Sequence, residues 1–241
     1  DPAVGSGAFP MGVLQKLVHV LGKLDPHNRL WKERQLADAE RIPDVEAREA
    51  AKQGIEEAFE RNELGYGRKL YLIEKCIYGV DIQPIAVLIA KLRFFISLLV
   101  DQRVDDALHN RGVRALPNLE TRLVAANSLA KLHKQQLTLP NPDIIDLEQQ
   151  LADVRSRHFS ARTIAAKRRY RDRDQELRAQ LQSLLQDEGY APEQAELMAQ
   201  WDPYNQNTSA NFFDPKWMFG LDRGFDLVIA NPPYVRQEQL K

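Results

Sequence analysis

Cysteine is nearly absent from the sequence: Cys76 is the single one in 241 residues. One thiol excludes an internal disulfide and a zinc site built from several cysteines. No His or Asp lies beside Cys76 along the chain, so we expect it to be buried and chemically inert. No signal peptide is visible, and we therefore expect a soluble cytoplasmic protein.

Net charge is also almost absent, because 33 Lys and Arg residues oppose 34 Asp and Glu residues. A nucleic-acid partner would therefore have to be met by a local basic patch. The apolar run 84–100 is too short to cross a bilayer comfortably, and Lys91 and Arg93 interrupt it. We interpret this run as a helix that is covered on both sides, and we expect no membrane partner.

A glycine-rich segment, DPAVGSGAF, occupies residues 1–9. Gly5 and Gly7 indicate a tight turn that a ligand can approach closely. The apolar spacing that follows predicts a helix with Pro10 near its first turn. A turn that runs into a helix N-terminus favours a polar or negatively charged group. A glycine-rich turn without a ligand would give the same pattern.

Two further segments are predicted strands that end in a polar residue. The first, 77–82, carries Asp81 near its end, and in nucleotide-binding α/β folds such a carboxylate accepts hydrogen bonds from ribose hydroxyls. The alternative is that Asp81 caps the next helix. The second, 121–129, carries Asn127, which is suited either to reading an adenine edge or to forming a turn.

The segment Asn231-Pro232-Pro233-Tyr234 follows the apolar run 225–230, which predicts a buried strand feeding a rigid turn. The two prolines restrict the backbone. The Asn231 side-chain oxygen and the Pro232 carbonyl can both accept hydrogen bonds from a planar amino group, while Tyr234 stacks on its ring. Accepting both protons frees the nitrogen lone pair for attack on an electrophile. A proline-stiffened turn with Tyr234 in ordinary packing is the alternative.

The remaining segments are mainly polar and predict helices. Pro43 divides the polar segment 25–65, and 132–197 is expected to form a helical hairpin or one long helix followed by shorter ones. The part from Arg155 to Arg173 is strongly basic. It favours either phosphate contact with DNA or a solvated face paired with carboxylates such as Asp172 and Asp174, and we prefer the solvated face. An irregular packed loop follows.

Taken together, DPAVGSGAF, GVDIQP and FDLVIANPPY resemble the motifs of amino-group DNA methyltransferases. The resemblance is to the adenine-N6 enzymes of restriction–modification systems, in the Eco57I-like branch. It implies transfer of a methyl group from S-adenosylmethionine to adenine N6 in duplex DNA, with the base flipped out of the stack. Rival interpretations are a methyltransferase of a glutamine amide or an RNA base, or a binding module that has lost catalysis.

The resemblance also implies roles for individual residues. The loop from Asp1 to Gly7 would cradle the methionine and ribose parts of the cofactor. Asp81 would hold the ribose hydroxyls, Ile82 would lie against the adenine face, and Asn127 would read the cofactor's adenine. The catalytic group would be Asn231, Pro232, Pro233 and Tyr234, and the cofactor group would be Asp1, Pro2, Ala3, Gly5, Gly7, Asp81, Ile82 and Asn127. No metal is expected.

The expected fold is α/β: a Rossmann-like methyltransferase core with a mostly parallel sheet, truncated at both ends and interrupted by helical insertions. We expect a cofactor-binding part over 1–134 with an insertion at 25–65. A helical insertion and packed loop would cover 135–220, and the catalytic strand and its motif 221–241. The missing strand before Asp1 would lie between the strands that end at Asp81 and Ala230. We therefore expect a fragment that is inactive alone. The target-recognition segment would lie outside it, and the sequence leaves open whether a nuclease is fused there as well.

Overall fold

The computed structural model describes most of the chain. The described residues are 1–41, 45, 48–49, 52, 55–56, 64–102, 104–107, 109–113, 116–132, 141–161, 163–187 and 189–231. Pro232, Pro233 and Tyr234 lie outside them, as does the predicted helix break at Pro43.

Helices predominate among these residues. In chain order the elements are α1 (Ala8–Leu24), α2 (Arg29–Ala39), α3 (Leu64–Lys75), β1 (Gly79–Asp81), α4 (Pro84–Val100), a 3-10 turn (His109–Gly112), β2 (Leu123–Ala125), α5 (Pro142–Ser160), α6 (Ile164–Asp187), α7 (Pro192–Gln200) and α8 (Pro215–Phe219). The predicted helices after Gly7 and from Pro84 are confirmed, and so are the centres of the strands at 77–82 and 121–129.

β1 and β2 form a parallel pair in which Gly79 lies opposite Leu123 and Asp81 opposite Ala125. The backbone of Asp1 extends this pairing on the other side of β1, since its amine donates to Tyr78 O at 2.9 Å and its carbonyl accepts from Val80 N at 2.8 Å. The chain is therefore of the α/β class with a small parallel sheet. Parallel strands place their carboxyl ends at one edge, where ligands bind in such folds.

The described residues divide into two compact units. The first comprises 1–10, 78–93 and 116–241, and contains the sheet. The second comprises 11–77 and 94–115. Within the second unit, Arg68 donates to the carbonyl of Asp25 at 2.9 Å, which ties α3 to the end of α1.

Within the described part of 132–197 the predicted hairpin is present as α5 and α6, which residues 161–163 separate in sequence. Its apolar stripes are buried as their helical spacing predicts: Leu151 on α5, and Leu177, Leu181 and Leu185 on α6. The aromatic loop that follows closes this core, with Phe212, Trp217, Met218 and Phe219 buried.

A cluster of charged side chains lies inside the hairpin. Asp174 is fully buried and accepts hydrogen bonds from Arg155 Nε and Arg178 Nε, each at 2.7 Å. Tyr204 donates its hydroxyl to the same carboxylate at 3.3 Å. Burial opposes ionisation of Asp174, but the two guanidinium groups outweigh it and hold the pKa of this carboxyl below its ordinary value. The expectation that Asp174 pairs on a solvated face is therefore wrong.

α4 was predicted to be covered on both sides, but only one of its faces is buried. Val87, Ala90, Phe94 and Leu98 are buried. The opposite face is exposed: Ile85, Ile89, Leu92, Ile96 and Leu99. Apolar residues on every face of a helix favour burial of all faces. They do not show whether another part of the chain packs against each face. No helix among the described residues is long and apolar enough to cross a membrane.

Two other expectations are also wrong. Cys76 is exposed rather than buried, because it lies in the turn that ends α3. The run 225–230 is not a strand, and Leu227 and Val228 are 71% and 61% exposed. A strand requires a backbone partner as well as apolar side chains. Within the described residues, no backbone hydrogen bond joins this run to another segment.

Candidate cofactor and target site

Asp81 joins the glycine-rich loop to the carboxyl end of β1. Its Oδ2 accepts a hydrogen bond from Gly5 N at 2.8 Å, and its Oδ1 accepts one from Gln83 N at 2.9 Å. The second bond forms a turn just before α4, close to the capping role that was the alternative for this residue. Asp81 therefore holds the loop in place while its remaining lone pairs stay available to a ligand.

The other side of the loop is tied to the end of β2. Ser128 Oγ donates to the carbonyl of Pro2 at 2.8 Å, across 126 residues of sequence. Within the loop, Ala3 N donates to Asp1 Oδ1 at 3.0 Å, and Gly7 N donates to the carbonyl of Val4 at 2.8 Å. The segment 1–7 is therefore a pinned loop at the carboxyl edge of the sheet.

The two glycines of this loop have different tasks. Gly7 has a φ of +85°, and a Cβ there would lie 3.0 Å from the Cβ of Ala90, so Gly7 permits close packing on α4. Gly5 has a φ of +51°, and a Cβ there would meet nothing within 4 Å. The backbone at Gly5 therefore faces open space, as expected of a surface that a ligand approaches.

Several groups at this edge fit S-adenosylmethionine. Asp1 Oδ2 is buried and has no hydrogen-bond partner among the described residues, and an ammonium group would satisfy it. Ile82 is 60% exposed and offers an apolar surface to a planar ring. Asn127 Oδ1 accepts from Leu129 N at 3.1 Å, so Asn127 does form the turn considered as its alternative. That bond engages the side-chain oxygen of Asn127.

A cavity of about 650 Å³ brings the first and last motifs of the chain together. Asp1 and Pro2 line it, and so do Leu227 and Val228, which lead to Asn231. Asn231 itself is exposed and does not line the cavity. The cavity also borders Tyr78 and Val80.

A buried polar cluster in the first unit was not foreseen from the sequence. It contains Lys91 of α4, Glu120 before β2 and His158 of α5, each with less than a tenth of its surface exposed. Arg171 lies 3.6 Å from Glu120 and donates to His158 Nε2 at 3.3 Å. Burial lowers the pKa of His158, with Glu120 opposing the shift and Arg171 adding to it. The members of this cluster are single residues far apart in the sequence and share no motif. The sequence therefore does not indicate that they lie together.

Replacing Lys91 by Met should stabilise the fold near neutral pH. Burial lowers the pKa of Lys91 to about 8, although the negative charge of Glu120 acts in the opposite direction and raises it. Between pH 8 and 10.5 the unfolded chain keeps a proton that the folded chain has released, so the free energy of unfolding of the wild type rises with pH across this window. Lys91→Met removes this penalty and should add about 2–3 kcal/mol at pH 7.

Urea unfolding at several pH values measures this effect. The gain from Lys91→Met should shrink as pH rises through the window, whereas Lys16→Met, on an exposed position of α1, should change little. A gain that stays constant with pH would contradict the role of protonation.

No group of three or more His, Cys, Asp or Glu side chains within the described ranges could hold a metal ion. The geometry is that of a parallel α/β sheet whose carboxyl edge carries a pinned glycine loop and a carboxylate.

Comparison with known proteins places the chain in a family. The family described as Eco57I restriction-modification methylase matches residues 75–241. The protein named "Putative type II restriction enzyme and methyltransferase RM.MjaORFECS2P", from Methanocaldococcus jannaschii, is 31% identical over 129 residues, which is 54% of this chain. The chain spans about 8% of the length of that curated relative. No solved structure matches the chain.

The chain is thus a methyltransferase segment of the restriction–modification class. It belongs to the Eco57I restriction-modification methylase family, whose match covers more than half of its residues.

Proposed function

We propose that the protein carrying this chain transfers a methyl group from S-adenosylmethionine to adenine N6 in duplex DNA. The observation that carries the proposal is the meeting of distant motifs at one sheet edge. Gly5 of the first motif contacts Asp81 of the second at 2.8 Å, and Pro2 contacts Ser128 at the end of β2 at 2.8 Å. The family match supports the methyltransferase class.

Each residue at the edge has a binding task in this proposal. The unpartnered Asp1 Oδ2 would accept from the amino group of the cofactor's methionine part. Asp81 would hold the ribose hydroxyls, and Ile82 and Asn127 would hold the adenine. The bound cofactor supplies an electrophilic methyl group on a sulfonium.

The target amine would be held by the last motif. Asn231 Oδ1 and the Pro232 carbonyl would each accept a hydrogen bond from one N–H of this amine, so that its lone pair is less delocalised into the ring. Pro233 would keep the two acceptors in place, and Tyr234 would stack on the flipped base. Alignment of the amine with the methyl group would supply much of the rate acceleration.

Transfer of labelled methyl groups from S-adenosylmethionine tests this proposal. The protein that carries this chain should label duplexes containing adenine and leave a duplex of only G·C pairs unlabelled. Nucleoside digestion of the product should place the label on N6-methyladenine. Label on cytosine, on RNA or on a protein glutamine would refute the proposal, and so would cofactor binding without transfer to any duplex that contains the recognition sequence.

A further inference from the structure

The α5–α6 hairpin has a strongly basic end in a chain of net charge −1. Between Arg155 and Arg173 there are eight Lys or Arg residues and a single Asp or Glu, Asp172. The opposite end of the hairpin carries acidic residues at Asp143, Asp146 and Asp187. Charge is therefore separated along the hairpin, with the positive end at the turn between the helices.

The structure divides these basic residues by task. Arg155 is buried against Asp174, and Arg171 faces Glu120 at 3.6 Å. Arg162 lies outside the described residues. The others reach the surface of the hairpin: Arg157, Lys167, Arg168, Arg169 and Arg173. The sequence alone did not separate the structural arginines from this outward-facing set.

Four of the outward arginines line a groove of about 930 Å³ formed by α5 and α6. On α6 the lining positions include 165, 168, 169, 172, 173 and 176, which share one helix face because residues three and four apart are neighbours. Arg157 approaches from α5. The buried contact of Arg155 with Asp174 joins the two helices, so the walls of the groove are held in register.

Acidic side chains in the groove neutralise its arginines only in part. Arg157 pairs with Asp153 at 2.9 Å and Arg173 with Glu176 at 3.0 Å; three of these side chains are largely exposed and that of Arg173 is partly exposed. Exposed pairs of this kind contribute about 0–1 kcal/mol, so a phosphate can replace the carboxylate at little cost.

Arg168 and Arg169 are the least compensated arginines of the groove. Arg168 lies 3.9 Å from Asp172. Arg169 lies over the ring of Tyr170 at 5.1 Å and has no carboxylate partner among the described residues. A guanidinium group without a local carboxylate is well suited to bidentate contact with a phosphate.

We propose that the groove between α5 and α6 binds the phosphate backbone of duplex DNA outside the cleft where the target base reacts. This inference rests on the proposed function for the choice of DNA as the partner. The contact would be independent of sequence, because phosphates position a protein on a duplex without reporting base identity. It would hold flanking DNA while the last motif engages the flipped base.

The test is binding of a G·C-only duplex, which offers phosphates but no adenine. Arg168→Gln/Arg169→Gln should weaken binding about tenfold at 0.1 M salt and flatten the plot of log K against log salt by about 1.8. Arg34→Gln/Arg41→Gln removes two exposed positive charges from the other unit, and should leave both quantities unchanged. The single variant Arg169→Gln should flatten the slope by about 0.9.

Equal binding by the wild type and the Arg168/Arg169 double variant would overturn the proposal, and so would an equal loss in the Arg34/Arg41 control. A loss confined to phosphatidylserine vesicles or to duplex RNA, with DNA binding intact, would also overturn it. A different result would refute the proposed function alone. If the wild type transfers no methyl group but its DNA binding still depends on Arg168 and Arg169, the groove binds DNA and the proposed methyl transfer is wrong.

Discussion

Asp174→Asn should lower the free energy of unfolding by about 3–5 kcal/mol. The carboxylate is fully buried and joins two buried guanidinium groups, of Arg155 and Arg178, each at 2.7 Å. Removing its charge leaves Arg155 without this carboxylate partner and Arg178 with only the more distant Asp202, at 3.9 Å, while the shape of the side chain is preserved. Urea unfolding at pH 7, followed by circular dichroism and tryptophan fluorescence, measures the loss.

Asp172→Asn is the matched control, because Asp172 lies on the same helix but is largely exposed. Its ion pair with Arg168 is long, at 3.9 Å. It should change stability by less than about 1 kcal/mol. The lowered pKa of Asp174 adds a pH signature: the wild type keeps the stabilisation above the ordinary value of 3.8 and loses it as pH falls through the lowered value. The wild-type and Asp174→Asn curves should therefore converge in acid. Equal losses in the two variants would contradict a buried ionic centre.

Asn231→Ala should reduce methyl transfer by about a thousandfold, a loss typical of removing one group that stabilises a transition state. In our proposal the Asn231 side-chain oxygen accepts a hydrogen bond from the target amine, and alanine has no such acceptor. Cofactor binding should stay within about twofold of wild type, because the cofactor residues lie in the glycine loop and beside β1 and β2. Single-turnover transfer and calorimetry with S-adenosylmethionine measure the two quantities.

Asn207→Ala provides the comparison, since Asn207 is an exposed asparagine of the packed loop with no role in the proposed site. It should transfer methyl groups at the wild-type rate. Retained turnover in Asn231→Ala, or an equal loss of cofactor affinity and rate, would refute the role given to Asn231.

Local signals along the chain were enough to predict most elements. Gly7 followed by an apolar stripe predicted α1, Pro84 and its apolar run predicted α4, and the leucine spacing after 147 predicted the hairpin. These features depend on helix periodicity and on backbone restrictions, which act within a few residues. The motifs at 1–7 and around Asp81 and Asn231 could likewise be located from residue types and order alone, although their roles remain predictions.

Long-range packing decided what local signals could not. Gly5 and Asp81 are 76 residues apart in sequence, yet Gly5 N lies 2.8 Å from the Asp81 carboxylate, because parallel pairing brings strand ends to one edge. The apolar run 225–230 has the side chains of a strand without a backbone partner among the described residues. The backbone conformation of this run therefore depends on whether another segment pairs with it, and not on its apolar composition alone.

Residue types within short windows were sufficient to predict the family, the order of the motifs and the positions of most helices. Which charges are buried depends instead on contacts that form in the folded chain. Arg155 and Arg169 occur in one basic stretch and look alike in sequence, yet one contacts a buried carboxylate and the other faces solvent. The reason is physical: the cost of burying a charge depends on partners brought from elsewhere in the chain, here Asp174, nineteen residues away.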